Sequence, residues 1–379
     1  MTTLILIGIA AILLFVLQTV LIKKTWNKGL SVTLSFDQAE LSAGQSGTIS
    51  EVVTNNKIIP VPILHVKFSC DRAIRFVQVE DSARTDRTYK NDIFSLMFYQ
   101  RITRTLPFTC RQRGYYTLES ADLAAYPLFL QEALPMSLPQ FSELYVFPEP
   151  ADAERLMPVF RRLTGEIIVR RRLIPDPFAF SGIRDYTLQD PLKTVNWKAS
   201  ARTGALKVNT FDGTSGGRVC LITNLEDDGV WKRTQLMEMT LSIACSLAGK
   251  CLENGIEIVW YANAGSKTRP YTVVSASGIT QYADILRASS RIDLENGISP
   301  FRELVPRVNA SAEDLMDACC VLISPAHAAQ AWETVSCLFQ TFDSLDMIVP
   351  RFRDEEPAKP ADGRLAVRVT DWEVERQYV

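Results

Sequence analysis

Apolar and polar positions divide the chain into three textures. Residues 4–22 (LILIGIAAILLFVLQTVLI) are apolar apart from Gln18 and Thr19. As a helix rising about 1.5 Å per residue, such a run is long enough to cross a hydrocarbon layer of about 30 Å. A helix packed in a soluble core would keep a polar face, and this run has none. A cleaved signal peptide needs basic residues ahead of a shorter apolar stretch. Here no charge precedes Lys23. The pattern therefore predicts a single N-terminal transmembrane helix, an anchor over 1–28. Trp26 is expected at the interface. Lys23, Lys24 and Lys28 follow the run, so the positive-inside rule places the body in the cytoplasm of a single-pass cell-membrane protein.

Over 29–150 the period is two. SVTLSF (31–36), TISEVV (48–53) and ILHVKF (63–68) alternate and are separated by turn residues, which predicts an all-β, sandwich-like domain. Beyond 150 short apolar runs alternate with amphipathic segments. RVCLITN (218–224), IEIVWY (256–261), ACCVLIS (318–324) and LDMIV (345–349) read as buried strands. Leu236, Met239, Ile243, Leu247 and Cys251 mark a helix that Gly255 ends. The third region, 151–379, is thus expected to be an α/β doubly wound, Rossmann-like domain.

Composition changes this picture little. The 379 residues carry 41 Lys+Arg against 43 Asp+Glu, a net charge of −2, which excludes broad nucleic-acid binding. The eight cysteines form no C-x-x-C pair and fall mostly in apolar runs, as reduced buried thiols do. His65 and His327 stand alone, so no zinc site is expected. GTSGG (213–217) fits the nucleophile-elbow spacing but precedes a strand rather than a helix. GSKT (265–268) lacks the glycines of a P-loop. The arginines at 161, 162 and 170–172 read as a solvated face or a contact to the anionic inner leaflet, with phosphate or nucleic-acid binding as the alternative.

The densest mixture of charges is FSGIRDYTLQDPLKTVNWKASARTGALKVN, 180–209. Asp190 has the chemistry of an N-cap, Pro191 that of a first helical position, and Gly204 that of a stop. Leu192, Val195 and Ala199 form the expected inner stripe, with Trp197 packed on the Arg184-Asp185-Tyr186 loop. The cluster Arg184, Asp185, Asp190, Lys193, Lys198 and Arg202 reads either as a hydrogen-bonded clamp or as an anion- or partner-binding surface.

In this segment Arg184, Tyr186, Asp190, Trp197, Ser200, Ala201 and Arg202 stand in the register R-x-Y-x(3)-D-x(6)-W-x(2)-[ST]-A-R. The chain thereby resembles the bacterial domain-of-unknown-function family 58 (DUF58). RGYYTL (113–118) and Pro127-Leu128-Phe129 resemble the family's R-G-x-Y-x-L and D-P-F-G-L segments, with Tyr126 where Asp is usual and Phe129 where Gly is usual. The resemblance implies a von Willebrand factor A-like domain after Arg218. Such domains often hold a divalent cation on D-x-S-x-S after the first strand. Here Asn224, Glu226 and Asp228 occupy those positions, weak metal candidates made of oxygen donors. The family's gene neighbourhoods imply a MoxR-type AAA+ ATPase and a transglutaminase-like membrane protein as partners. The expected function is a non-enzymatic, membrane-anchored adaptor with no cofactor. The alternative is a cation-dependent hydrolase on the 224–228 loop.

Overall fold

The computed structural model describes residues 8–9, 13, 15–17, 19–20, 23–76, 87–126, 133–173, 180–188, 190–211, 217–227, 232–266, 269–315, 317–326, 329–340, 342, 344–357 and 367–376. Asp228, Trp231 and His327, the 127–129 match, most of the two glycine-containing motifs and the side chains of 170–172 lie outside them. The chain forms two compact units, Met1–Glu149 and Pro150–Val379.

The first unit is built of β1 (Leu30–Phe36), β2 (Glu40–Ser42), β3 (Ser46–Asn55), β4 (Val61–Asp71), β5 (Ile74–Phe76), β6 (Arg87–Leu96), β7 (Arg101–Cys110), β8 (Gly114–Tyr126) and β9 (Leu134–Phe147). They make two sheets, ordered β1-β3-β7-β5 and β2-β9-β8-β4-β6. Every pairing is antiparallel except β2 with β9. Alternate residues point inward, so Leu34, Ile49, Val53, Leu64, Val66, Phe108, Leu118 and Leu144 share one core between the sheets. The buried Gln140 ties them together. Its Oε1 accepts from Leu34 N (2.9 Å) and its Nε2 donates to Val32 O (3.1 Å), so one side chain of β9 supplies β1 with a strand-like partner.

The second unit contains helices α1 (Ala153–Leu173), α2 (Trp197–Thr203), α3 (Thr234–Glu253), α4 (Tyr282–Ser290), α5 (Phe301–Ala310) and, after a short turn of helix, α6 (Ala329–Ser336). Its strands are β10 (Phe180–Asp185), β11 (Lys207–Phe211), β12 (Arg218–Thr223), β13 (Glu257–Ala262), β14 (Thr272–Ala276), β15 (Cys319–Ile323), β16 (Leu345–Phe352) and β17 (Val367–Val374). A six-stranded sheet runs β14-β13-β12-β15-β16-β17. Only its edge strand β14 is antiparallel to its neighbour. Leu163 of α1, Leu241 and Leu247 of α3 and Ile285 of α4 pack on one face. Phe301, Leu304 and Val308 of α5 and Trp332 and Val335 of α6 pack on the other. Covered on both faces, β15 and β16 bury every residue, which is why they read as unbroken apolar runs.

Several expectations are corrected. Among the described residues no helix is long and apolar enough to cross a membrane, so the N-terminal transmembrane helix is not found. Apolarity measures a run's preference for a medium and does not by itself specify a spanning helix. The expected plan that began with a transmembrane anchor is corrected: the described residues form a strand-rich chain in four sheets, with no spanning helix among them. Trp26 is not an interface residue but a buried member of the first core. Helix α1 is an element that the reading of 161–172 as a basic stretch overlooked. Leu156, Val159, Phe160, Leu163 and Ile167 form its buried stripe.

Candidate functional site

The two-stranded sheet of β10 and β11, together with α2, carries the Arg184–Arg202 register. Asp190 is its organising group. It accepts from Thr187 N (2.8 Å) and Thr187 Oγ1 (2.8 Å), and from both terminal nitrogens of Arg184 (2.7 and 2.5 Å). This forked pairing is the strong, geometry-specific kind of charge-assisted bond. These bonds from Arg184 and Thr187 hold the Asp190 carboxyl well below the usual carboxylate range. Asp185 pairs with Lys207 Nζ at 2.5 Å. Tyr186, half-buried, donates its backbone N–H to Leu206 O.

The helix begins later than the sequence indicated. Pro191 precedes a single 3-10 turn, Leu192–Thr194, and the N-cap of α2 is Asn196, not Asp190. Asn196 Oδ1 accepts from Ala199 N at 2.9 Å, while its Nδ2 donates to Asn209 Oδ1 at 2.7 Å. The reason is packing. Val195 bridges Val208 and is buried against it, so the backbone must stay extended up to Asn196. Ser200 is the second tie: its hydroxyl donates to Asn196 O (2.8 Å) and accepts from Lys207 N (2.8 Å). Gly204 closes the helix with φ 71°, a left-handed conformation suited to glycine.

Arg184, Asp190 and Ser200 therefore build the segment. Trp197 and Arg202 are presented by it. Trp197 does not pack on the Arg184 loop; it is 66% exposed. Leu188 is 98% exposed, and Phe180, Ile183 and Leu192 are exposed too. Lys193, Lys198 and Arg202 are exposed between them. Among the described residues of 180–211 only Val195, Ser200 and Val208 are buried. The reading of Leu192 as part of an inner stripe is corrected accordingly. The exposure of the leucines and Ile183 is a feature that helical periodicity could not single out.

The second candidate lies at the carboxyl ends of β12 and β15, where the sheet's connections diverge to either side. Open α/β sheets bind ligands at such points. Here the crevice is filled by its own side chains. Asn224 Nδ2 donates to Ser324 Oγ (2.9 Å), and Asn224 Oδ1 accepts from both Asn263 Nδ2 (2.8 Å) and Glu226 N (2.9 Å). Asn263 also donates to Ser299 O and accepts from Leu225 N. Glu226 Oε2 accepts from Phe301 N at 2.8 Å at the start of α5. Asn224 Oδ1 and Glu226 Oε2 are thus engaged by N–H donors, and Asp228 lies outside the described residues. No cluster of three or more His, Cys, Asp or Glu suited to a metal occurs among the described residues. The adjoining Asp227 is absorbed by Arg233, which also reaches Glu355 at 3.0 Å.

No family model and no curated protein matches the chain. Solved structures resemble it weakly. The native conformation of Escherichia coli alpha-2-macroglobulin matches with 15% identity and a TM-score of 0.22, over 31% of this chain and 6% of that one. A CARDB domain from Pyrococcus furiosus matches with 15% identity and a TM-score of 0.20, over 31% of this chain and 94% of that domain. A non-cellulosomal cohesin from Archaeoglobus fulgidus matches with 11% identity and a TM-score of 0.21, over 31% of this chain and 91% of that one.

Proposed function

We propose that the chain is a non-enzymatic adaptor whose 180–211 segment docks a protein partner. One observation carries the reading: hydrogen bonds fix the segment's shape while its largest apolar side chains stay outside. A two-stranded sheet with so little core is marginal on its own. Burying one Leu- or Trp-sized side chain contributes about 1.5–3 kcal/mol, so Leu188 and Trp197 have the character of interface anchors. The exposed lysines and Arg202 favour an acidic rim on the partner. The resemblance to DUF58 supports a MoxR-type AAA+ ATPase as that partner and a transglutaminase-like membrane protein as a companion.

The test titrates purified full-length chain with a purified MoxR-type ATPase. Wild type is expected to bind. Leu188→Ser/Trp197→Ser is expected to bind at least about tenfold more weakly, since each anchor is worth about one such factor. Unchanged thermal melting of the variant shows that both residues face outward. Absence of wild-type binding, or equal binding by the variant, overturns the proposal.

A further inference from the structure

At one end of the first unit two loops are fastened side by side. Asn55, fully buried at the end of β3, donates from Nδ2 to Ile59 O (3.0 Å) in the β3–β4 loop. It also donates to Met97 O (2.8 Å) in the β6–β7 loop. Tyr99 N donates to Lys57 O at 3.2 Å, and Met97 N to Gln100 Oε1 at 2.8 Å. The beginning of the described body joins the same end: Asn56 N donates to Gly29 O at 2.7 Å, and Lys57 Nζ to the carbonyls of Thr25 and Trp26. Every tie uses polar atoms. The apolar side chains point the other way, and Ile58, Met97, Phe98 and Tyr99 are each more than half exposed.

Tyr99 adopts φ 51°, a left-handed conformation that a bulky residue rarely takes. Backbone strain of this kind persists where the surroundings enforce it, and it collects at functional sites. The charge around the loops is one-sided. Residues 23–30, 56–60 and 97–100 hold Lys23, Lys24, Lys28 and Lys57 and no acidic residue, in a chain whose net charge is −2.

We infer that this end of the sandwich docks on an anionic lipid surface, with Ile58, Met97, Phe98 and Tyr99 entering the headgroup–acyl boundary and the exposed Lys23, Lys24 and Lys28 facing the phosphates. Interfaces of bilayers favour aromatic and apolar tips ringed by lysine, and each basic residue adds to binding on an anionic leaflet. A protein groove would select shape; a lipid surface needs only this juxtaposition of apolar tip and positive charge. None of these residues belongs to the 180–211 segment, and the docking does not rest on that segment's function.

The experiment uses the full-length chain with Cys337→Ser, which removes the one exposed thiol. A fluorophore sensitive to polarity is attached at Phe98→Cys, at Ile58→Cys or, as control, at Phe141→Cys, whose parent side chain is 94% exposed on β9. Vesicles are phosphatidylcholine alone or mixed with phosphatidylglycerol. The labels at 98 and 58 are expected to shift to the blue and be quenched by brominated lipid in the anionic vesicles, and less so in the neutral ones. The label at 141 is expected to stay water-like. Two results overturn the inference: water-like emission at both 58 and 98 on bound protein, or a blue shift before vesicles are added, which would mean that a second copy covers the tip.

Discussion

Replacing Glu51 by glutamine isolates a buried titratable carboxyl between the sheets of the first unit. Glu51 is fully buried on β3, in register with Arg104 on β7. Arg104 leans to the opposite sheet, where Nη1 meets Asp92 Oδ1 of β6 at 2.7 Å; Lys90 Nζ stands 3.7 Å from the same oxygen. The two cations thus serve Asp92. Burial, followed by the charge of Asp92, pushes the Glu51 carboxyl up from 4.5 to about 8. Glu51 is consequently protonated in the fold at neutral pH and ionised in the unfolded chain. With the folded value raised, its contribution is full below about pH 4.5 and is lost as pH rises through about 8. At about 1.4 kcal/mol per pH unit, the loss across that window is on the order of 5 kcal/mol.

Glu51→Gln stays neutral throughout and should remove this slope. Hydrogen exchange of β3 and β7 peptides, measured on both proteins at equal pH, cancels the intrinsic base catalysis. Where exchange proceeds through unfolding of the unit, the wild-type to variant rate ratio should rise by up to about tenfold per pH unit between 6 and 8. A ratio independent of pH would mean that Glu51 is ionised in the fold, and the assignment of the proton would be wrong.

Asn55→Ala should cost about 1–3 kcal/mol, because it leaves two loop carbonyls without their donor; the first unit's melting reports it. Tyr99→Asn should keep or raise stability by up to about 1 kcal/mol by easing the left-handed backbone, while weakening vesicle binding. Gly265→Ala places a Cβ 1.9 Å from Arg269 O, a backbone atom, and should cost about 2 kcal/mol or more by differential melting. Native protein should react quickly with a thiol reagent only at Cys337, the remaining cysteines being buried and burial raising the thiols of Cys70, Cys110 and Cys251 to about 12. More than one fast thiol would refute that burial pattern.

What the sequence made legible follows from how many faces an element buries. β1, β3 and β4 bury one face, and their alternation is plain in SVTLSF, TISEVV and ILHVKF. β15 and β16 bury both, and appear as ACCVLIS and LDMIV. Helix α1 is equally legible in Leu156, Val159, Leu163 and Ile167, a helical spacing that its arginines mask in a reading by charge alone.

The 180–211 segment shows where local spacing stops deciding. Asp190 and Asn196 are both good caps, and Pro191 favours the first. The choice fell to the second through Val195, whose partner Val208 lies across the segment and is invisible to any window around the helix. Asp190 was then left to bind Arg184 and Thr187 instead of a helix end. The same non-local accounting separates the two surfaces from ordinary exposed residues. At Asn55 the side-chain amide donates to two loop carbonyls, and at Asp190 the carboxylate accepts from Arg184 and Thr187, while the apolar side chains Phe98 and Leu188 are left in water. Folding alone gives no reason to hold such residues on rigid supports. A surface that must meet something else does.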